Sequence, residues 1–387
     1  MKKKPTIAFD CGTSGSKVFA SYARAKGFPV DEDRFYLIAP FARELSQARY
    51  QTLLEVAEDG IGGYDDCLIS FFDPVKEEQV YWQLGQSAAQ QGDLPVRDRK
   101  MERCVAKLLA FIGYLVNIEI KSEELVEIHL GVLLPFDEIQ DRQILAGLIQ
   151  KVLAKDSGFH FNGNPLSNVR LASLSVKPEG YGIYERYASD VTNILVVGHS
   201  DSSWLHFTPG GLSGKQSQTL PETGMHDFIQ EVKTGFAITN ELQASELINK
   251  AGRNLSEKPL LKLTQTRGGA ELKQLKDAIS AAREQYWLDR SVNFQRLDTS
   301  MVDRVHITGG TAQYFADEIS ALFRAKGVKP MWCKDLMVEF LERYQLKKNT
   351  ALHCRMVDCY GFYLSLPGVE PFVTKTVETK TVEVVNV

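Results

Sequence analysis

The chain has 387 residues, 44% of them hydrophobic and 24% charged, with a formal net charge of −4. That length suggests roughly two to three domains with core enough to need no disulfide or metal staple. The mild acidity excludes the basic footprint of a dedicated nucleic-acid binder, so a link to DNA would run through a partner protein.

In chain order, Thr6-Ile7-Ala8-Phe9 separates three lysines from Asp10, too short an apolar core for a secretory signal. Residues 5–20 read as strand, turn and strand. Strands are expected at 35–38 and 79–84, a helix at 100–118 from the spacing of Cys104, Leu108, Phe111 and Leu115, and a strand at 125–134. A helix follows over 138–154, entered through Pro135 and Asp137, and then a strand over 169–176 leading into Pro178-Glu179-Gly180. The continuous apolar run 193–197 predicts a strand buried on both faces, opening a second strand–turn–strand over 193–207. Polar helices are expected from 221 to 289, broken at Gly268-Gly269. A strand over 305–308 ends in a glycine turn, a helix runs to about 326, and a last helix spans 350–364. The tail 373–387 alternates β-branched residues with Lys and Glu; a frayed end, an edge strand and a polymer contact all suit it.

No run approaches the ~20 apolar residues of a membrane span. The six cysteines (11, 67, 104, 333, 354, 359) contain no Cys-x-x-Cys pair and read as buried thiols. The grouping of His353, Cys354 and Cys359 is a weak metal signal beside that reading, and the cytoplasm is the expected compartment.

Three turns carry residues suited to phosphate chemistry. In Asp10-Cys11-Gly12-Thr13-Ser14-Gly15-Ser16-Lys17, a strand-end carboxylate suits the water shell of magnesium. The glycines let backbone N–H groups and the Thr13 and Ser14 hydroxyls face an anion, and Lys17 adds a point charge. An ordinary glycine hairpin would contain the same residue types. Gly198-His199-Ser200-Asp201-Ser202-Ser203 forms a second polar turn, and Thr308-Gly309-Gly310-Thr311 lies between a strand and a helix, where an anion or a flat ring can approach. His199 reads as a solvated or simply hydrogen-bonded turn histidine. A Walker-type loop is absent, since Gly214-Lys215 is followed by Gln216, and no Gly-x-Gly-x-x-Gly follows a strand.

The order and intervals of these turns resemble the phosphate-1, phosphate-2 and adenosine motifs of the actin, sugar-kinase and DnaK-type chaperone superfamily. Pro178-Glu179-Gly180 and Asp358-Cys359-Tyr360-Gly361 fall where that superfamily has its two connecting helices. With Leu130-Gly131-Val132-Leu133-Leu134-Pro135, the chain looks most like the ParM-type bacterial actins over residues 5–366. The resemblance implies an α/β, actin-like ATPase fold of two duplicated ribonuclease H-like domains around a nucleotide cleft. Domain I would cover 1–180 and domain II 181–366, with helix 350–366 returning to domain I and a tail at 367–387.

By the same likeness, Asp10 would hold magnesium through water, and Gly12, Thr13, Ser14 and Lys17 would bind the β- and γ-phosphates. Glu179 would position the attacking water, Ser200, Asp201 and Ser202 would form the second phosphate turn, and Gly309, Gly310 and Thr311 would line the adenosine. The implied cofactors are ATP or GTP with Mg2+. The implied role is a nucleotide-dependent cytoskeletal filament for plasmid DNA segregation. Its partners would be further copies of itself and a DNA-binding or membrane-linked adaptor, without direct nucleic-acid contact or membrane insertion. One departure stands out: Gly198 occupies the place of a strand-end aspartate, which points to slow hydrolysis. A cell-shape filament, a small-molecule kinase and a non-polymerising nucleotide-binding scaffold remain alternatives. Fewer than thirty residues follow Gly361, which argues against a chaperone with a substrate-binding domain.

Overall fold

Thr6-Ile7-Ala8-Phe9-Asp10 is buried along its whole length because it becomes the middle strand of a five-stranded sheet. The computed structural model describes residues 4–23, 31–56, 63–89, 100–154, 157–189, 191–346 and 350–370. The alternating tail 373–387 lies outside them.

The strands of the first half are β1 (Thr6–Asp10), β2 (Ser16–Ala23), β3 (Asp31–Ile38), β4 (Ala42–Leu45), β5 (Asp66–Asp73), β6 (Glu78–Gly85), β7 (Val126–Leu134), β8 (His160–Phe161), β9 (Asn164–Pro165) and β10 (Val169–Pro178). One sheet runs β10-β7-β1-β2-β3, with β1, β2 and β3 antiparallel and β7 and β10 parallel to β1. A separate sheet, β4-β6-β5-β8-β9, is built from the connections between these strands. The second half supplies β11 (Thr192–Val197), β12 (Ser202–Thr208), β13 (Gly211–Leu212), β14 (Gln218–Leu220), β15 (Arg304–Thr308) and β16 (Lys329–Met331). These form the order β13-β12-β11-β15-β16, with β14 also on β12.

The two main sheets share one plan. Each begins with an antiparallel hairpin (β1–β2, β11–β12) and continues through two parallel strands on the other side of its first strand. The repeated strand–turn–strand of the sequence is therefore a repeated topology.

Several predicted elements change in detail. The helix expected over 100–118 is α-helical over Lys100–Tyr114 and then widens into a π turn, Leu115–Ile120, stopped by Lys121 in the left-handed region at φ 50°. The helix expected over 138–154 starts as a 3-10 turn, Phe136–Asp141, before the α-helix Arg142–Val152. Gly268 does break the polar helices, but the helix after it, Gly269–Gln295, outruns the expected end at 289.

Each half has its own core. A third apolar cluster joins them, made of Ala8, Phe19 and Leu133 from the first sheet and Ile194, Leu205 and Phe207 from the second. Helices Tyr181–Tyr187, Lys334–Arg343 and Thr350–Leu364 complete it, the first and last crossing at two glycines. A Cβ on Gly182 would meet the Asp358 carbonyl oxygen at 2.0 Å, and one on Gly361 would meet the Gly182 oxygen at 2.5 Å. Only glycine permits so close an approach of two backbones. That crossing sets where the ends of both sheets face each other. All six cysteines are buried thiols and none is disulfide-bonded, as the sequence suggested.

Candidate functional site

Between the facing sheet ends lies a cleft of about 1630 Å³. Both hairpins, the β15 glycine turn, residue 179 and the start of the last helix line it. Asp10, Gly12, Thr13, Ser14, Lys17, Glu179, Ser200, Asp201, Gly309, Gly310 and Thr311, drawn from distant stretches of sequence, all face this one space.

Ser202 is the predicted residue that does not. It opens β12 with its side chain turned into the protein, where its hydroxyl meets Thr223, while the adjacent Ser203 lines the cleft. The two-residue period of a strand sends neighbouring side chains to opposite faces, so both could not serve.

Within the first hairpin, Asp10 and Lys17 are cross-strand partners, and the Lys17 ammonium lies 2.7 Å from Asp10 Oδ2. Asp10 Oδ1 is buried and has no hydrogen-bond partner among the described residues. A buried carboxylate oxygen left unpaired is costly and suits a cation or the water of its hydration shell. The donor set therefore fits magnesium held through water.

The second hairpin differs. Val197 closes β11 and Gly198 follows, so no carboxylate stands at the strand end. Asp201 sits three residues further, across the turn closed by the Gly198 N–H to Asp201 oxygen bond of 2.9 Å, and its Oδ1 accepts the Glu222 N–H at 3.3 Å. The two hairpins touch at their tips: Ser200 Oγ donates to Thr13 Oγ1 at 3.0 Å. His199 lines the cleft and is hydrogen-bonded rather than freely solvated. It meets Glu241 Oε1 at 2.9 Å, which His226 Nδ1 also reaches at 2.8 Å. Burial alone would raise the Glu241 carboxyl, yet the hydrogen bonds of His199 and His226 outweigh it and hold it at about 2. The Glu241 hydrogen bond raises His226, against the effect of burial. Three such side chains can hold a metal. Here, however, Gln230 satisfies the other Glu241 oxygen and Lys233 brings a positive charge to 3.6 Å, so the cluster is a staple from the hairpin to helices Met225–Gly235 and Glu241–Ala251.

At the base of the cleft, Gly309 has φ 105°, and a Cβ there would strike the Val197 oxygen at 2.1 Å. Thr311 Oγ1 donates to the Gly198 oxygen at 2.6 Å, tying this turn to the second hairpin. Glu179 follows β10, its N–H bonded to the Leu134 oxygen at 2.7 Å.

Two residues that the sequence does not single out also reach the cleft. Glu138 is buried at the start of the turn after β7. Arg355, on the last helix, runs its stem over Gly310 and sends its guanidinium to Ser14 Oγ, 3.4 Å away. The only hint of Arg355 is an arginine inside a mainly apolar helix.

No protein-family model matches the chain, and no curated protein matches its sequence. Solved structures do match. A ParM from Clostridium botulinum, solved as a 15-stranded filament, is 18% identical with a TM-score of 0.54, covering 94% of this chain and 98% of that one. The actin-like protein Alp7A is 12% identical with a TM-score of 0.58, covering 93% and 94%. A Bacillus thuringiensis ParM hybrid with ADP is 13% identical with a TM-score of 0.56, covering 94% of this chain and 49% of the hybrid. The chain has the actin-like fold expected from its three turns.

Proposed function

We propose, from the actin-like fold, that the chain is a filament-forming nucleotide hydrolase that takes ATP or GTP with Mg2+ in its cleft. The observation that carries this reading is the convergence of Asp10, Lys17, Glu179 and the Gly309-Gly310 turn on one cleft between two equivalent sheets. Asp10 would hold the magnesium water shell through its unpaired Oδ1, and the ion when bound supplies neutralising charge at the phosphates. Gly12, Thr13, Ser14 and Lys17 would cradle the phosphates, and Gly309, Gly310 and Thr311 the nucleoside. Glu179 would orient the attacking water, since phosphoryl transfer needs chiefly position and neutralised charge. With no acid at the end of β11 and one Asp201 oxygen engaged by Glu222, hydrolysis is slow and filaments long-lived.

Self-assembly draws support from the neighbour solved as a filament. Plasmid DNA segregation through a DNA-binding or membrane-linked adaptor follows from the ParM likeness, and the cytoplasm is its compartment. No described helix is long and apolar enough to cross a membrane.

Sedimentation and electron microscopy with ATP, with GTP and without nucleotide test the proposal. Filaments are expected only with nucleotide. Glu179→Gln should slow phosphate release by ~10²-fold while filaments still form. Protein that stays soluble under all three conditions, or phosphorylates a small alcohol or acid, overturns the filament reading. Phosphate release unchanged by Glu179→Gln overturns the role of that residue.

A further inference from the structure

A di- or triphosphate brings several negative charges into a cleft whose walls already carry Asp10, Asp137, Glu138, Glu179, Asp201 and Asp358. Among the described residues, three lysine or arginine side chains line the same space. Lys17 is held by Asp10 and Lys250 is paired with Glu246. Arg355 is the one of the three with no carboxylate within ion-pair distance among the described residues; its hydrogen-bond partner is the neutral Ser14 hydroxyl at 3.4 Å. Burial lowers its pKa, the sign of a cation short of solvation.

Its path through the cleft matters as much as its charge. The stem crosses the β15 turn, where a Cβ on Gly310 would meet Arg355 Cγ at 2.9 Å, and the head ends beside Ser14 and Gly15 in the first hairpin. One side chain thus spans from the turn assigned to the nucleoside to the turn assigned to the phosphates. A guanidinium presents a planar fork of donors that matches phosphate oxygens two at a time.

We propose that Arg355 is the polyphosphate-binding cation of the cleft, pairing with the phosphate chain of the bound nucleotide at the first hairpin. This rests on the nucleotide reading above and adds to it a cation supplied by the last helix. The charge on Lys17 is balanced by Asp10, so among these side chains Arg355 adds positive charge to that of the metal ion.

Calorimetric titration with Mg-ADP, Mg-ATP, adenosine and inorganic pyrophosphate tests this on the full chain and on Arg355→Gln and Arg355→Lys. Glutamine keeps most of the stem over Gly310, and thermal melts check that each variant is folded. Arg355→Gln should weaken both nucleotides by about 10- to 100-fold and leave adenosine unchanged, the loss expected for a charge-assisted hydrogen bond. Arg355→Lys should recover part of the loss. Equal nucleotide affinity in wild type and Arg355→Gln overturns the proposal, as does an equal loss of adenosine, which marks a merely structural residue. If wild type binds neither nucleotide, the nucleotide reading falls. Arg355 then stands only if wild type binds pyrophosphate and Arg355→Gln does not; pyrophosphate binding by neither removes both.

Discussion

Asp358 shows how a single side chain in the last helix shapes the cleft. Its carboxylate accepts the N–H groups of Gly180 at 2.6 Å, Gly182 at 3.0 Å and Ile183 at 3.4 Å. Helix Tyr181–Tyr187 follows a glycine, which has no side chain to cap it, so the cap comes from a residue far along the chain. Burial pushes the Asp358 carboxyl up to about 7, opposed by the Gly180 N–H and reinforced by the charges of Asp10 and Glu179. A folded pKa raised above the unfolded value gives stability that is full below about pH 4 and lost as pH rises through 7. We expect Asp358 to take away on the order of 3 kcal/mol between those limits. Urea unfolding from pH 4 to 8 should show a larger decline in wild type than in Asp358→Asn, whose amide does not titrate. Parallel pH profiles for the two proteins would refute the assignment. Asp10 was legible because a strand followed by a glycine turn marks a sheet end, whereas Glu179 was reached only through the family resemblance. Arg355 was not, since helical spacing does not say which face of a buried helix meets a cleft. Ser202 was misplaced because its hydroxyl type alone does not fix the strand phase.

The crossing of helices Tyr181–Tyr187 and Thr350–Leu364 is the element-scale counterpart of that cap. Gly182→Ala places a methyl 2.0 Å from the Asp358 oxygen and 2.3 Å from the Phe362 nitrogen, both backbone atoms that cannot rotate away. The helices must separate, at a cost of about 1–3 kcal/mol or more. Gly147→Ala is the control: it lies in helix Arg142–Val152 with nothing within 4 Å of the added methyl, and should stabilise by up to about 1 kcal/mol. Denaturant midpoints compare the two, and a Gly182→Ala midpoint at or above wild type would show that the crossing is not tight. The hairpins and last helix were readable because their boundaries carry glycine or a clear apolar period. β5 and helix Lys334–Arg343 went unread for physical reasons. β5 is buried on most of its length and so does not alternate, and the helix starts after Cys333 in the left-handed region, with no side chain to cap it.

At the scale of the molecule, the two sheets share one topology but approach the cleft with different chemistry. The first hairpin brings a carboxylate with a free oxygen; the second brings a glycine and a histidine tied to Glu241. The halves touch directly through Ser200 and Thr13, so a ligand held by both hairpins ties the two sheets together. A ligand that binds only the folded state adds about 2.7 kcal/mol at a hundredfold excess over its Kd. For a chain of this length that is an upward shift in melting temperature of roughly 3 °C. On the proposed function, magnesium would enter this balance through Asp10 Oδ1, whereas the hairpin N–H groups and hydroxyls would not need it. Mg-ADP should therefore raise the melting temperature, and EDTA should remove most of the rise. Asp10→Asn keeps the shape of the site but loses the charge, so its smaller shift should no longer respond to EDTA. Equal shifts with and without EDTA in wild type would place the ion elsewhere. An EDTA-sensitive shift that survives in Asp10→Asn would assign it to another carboxylate of the cleft.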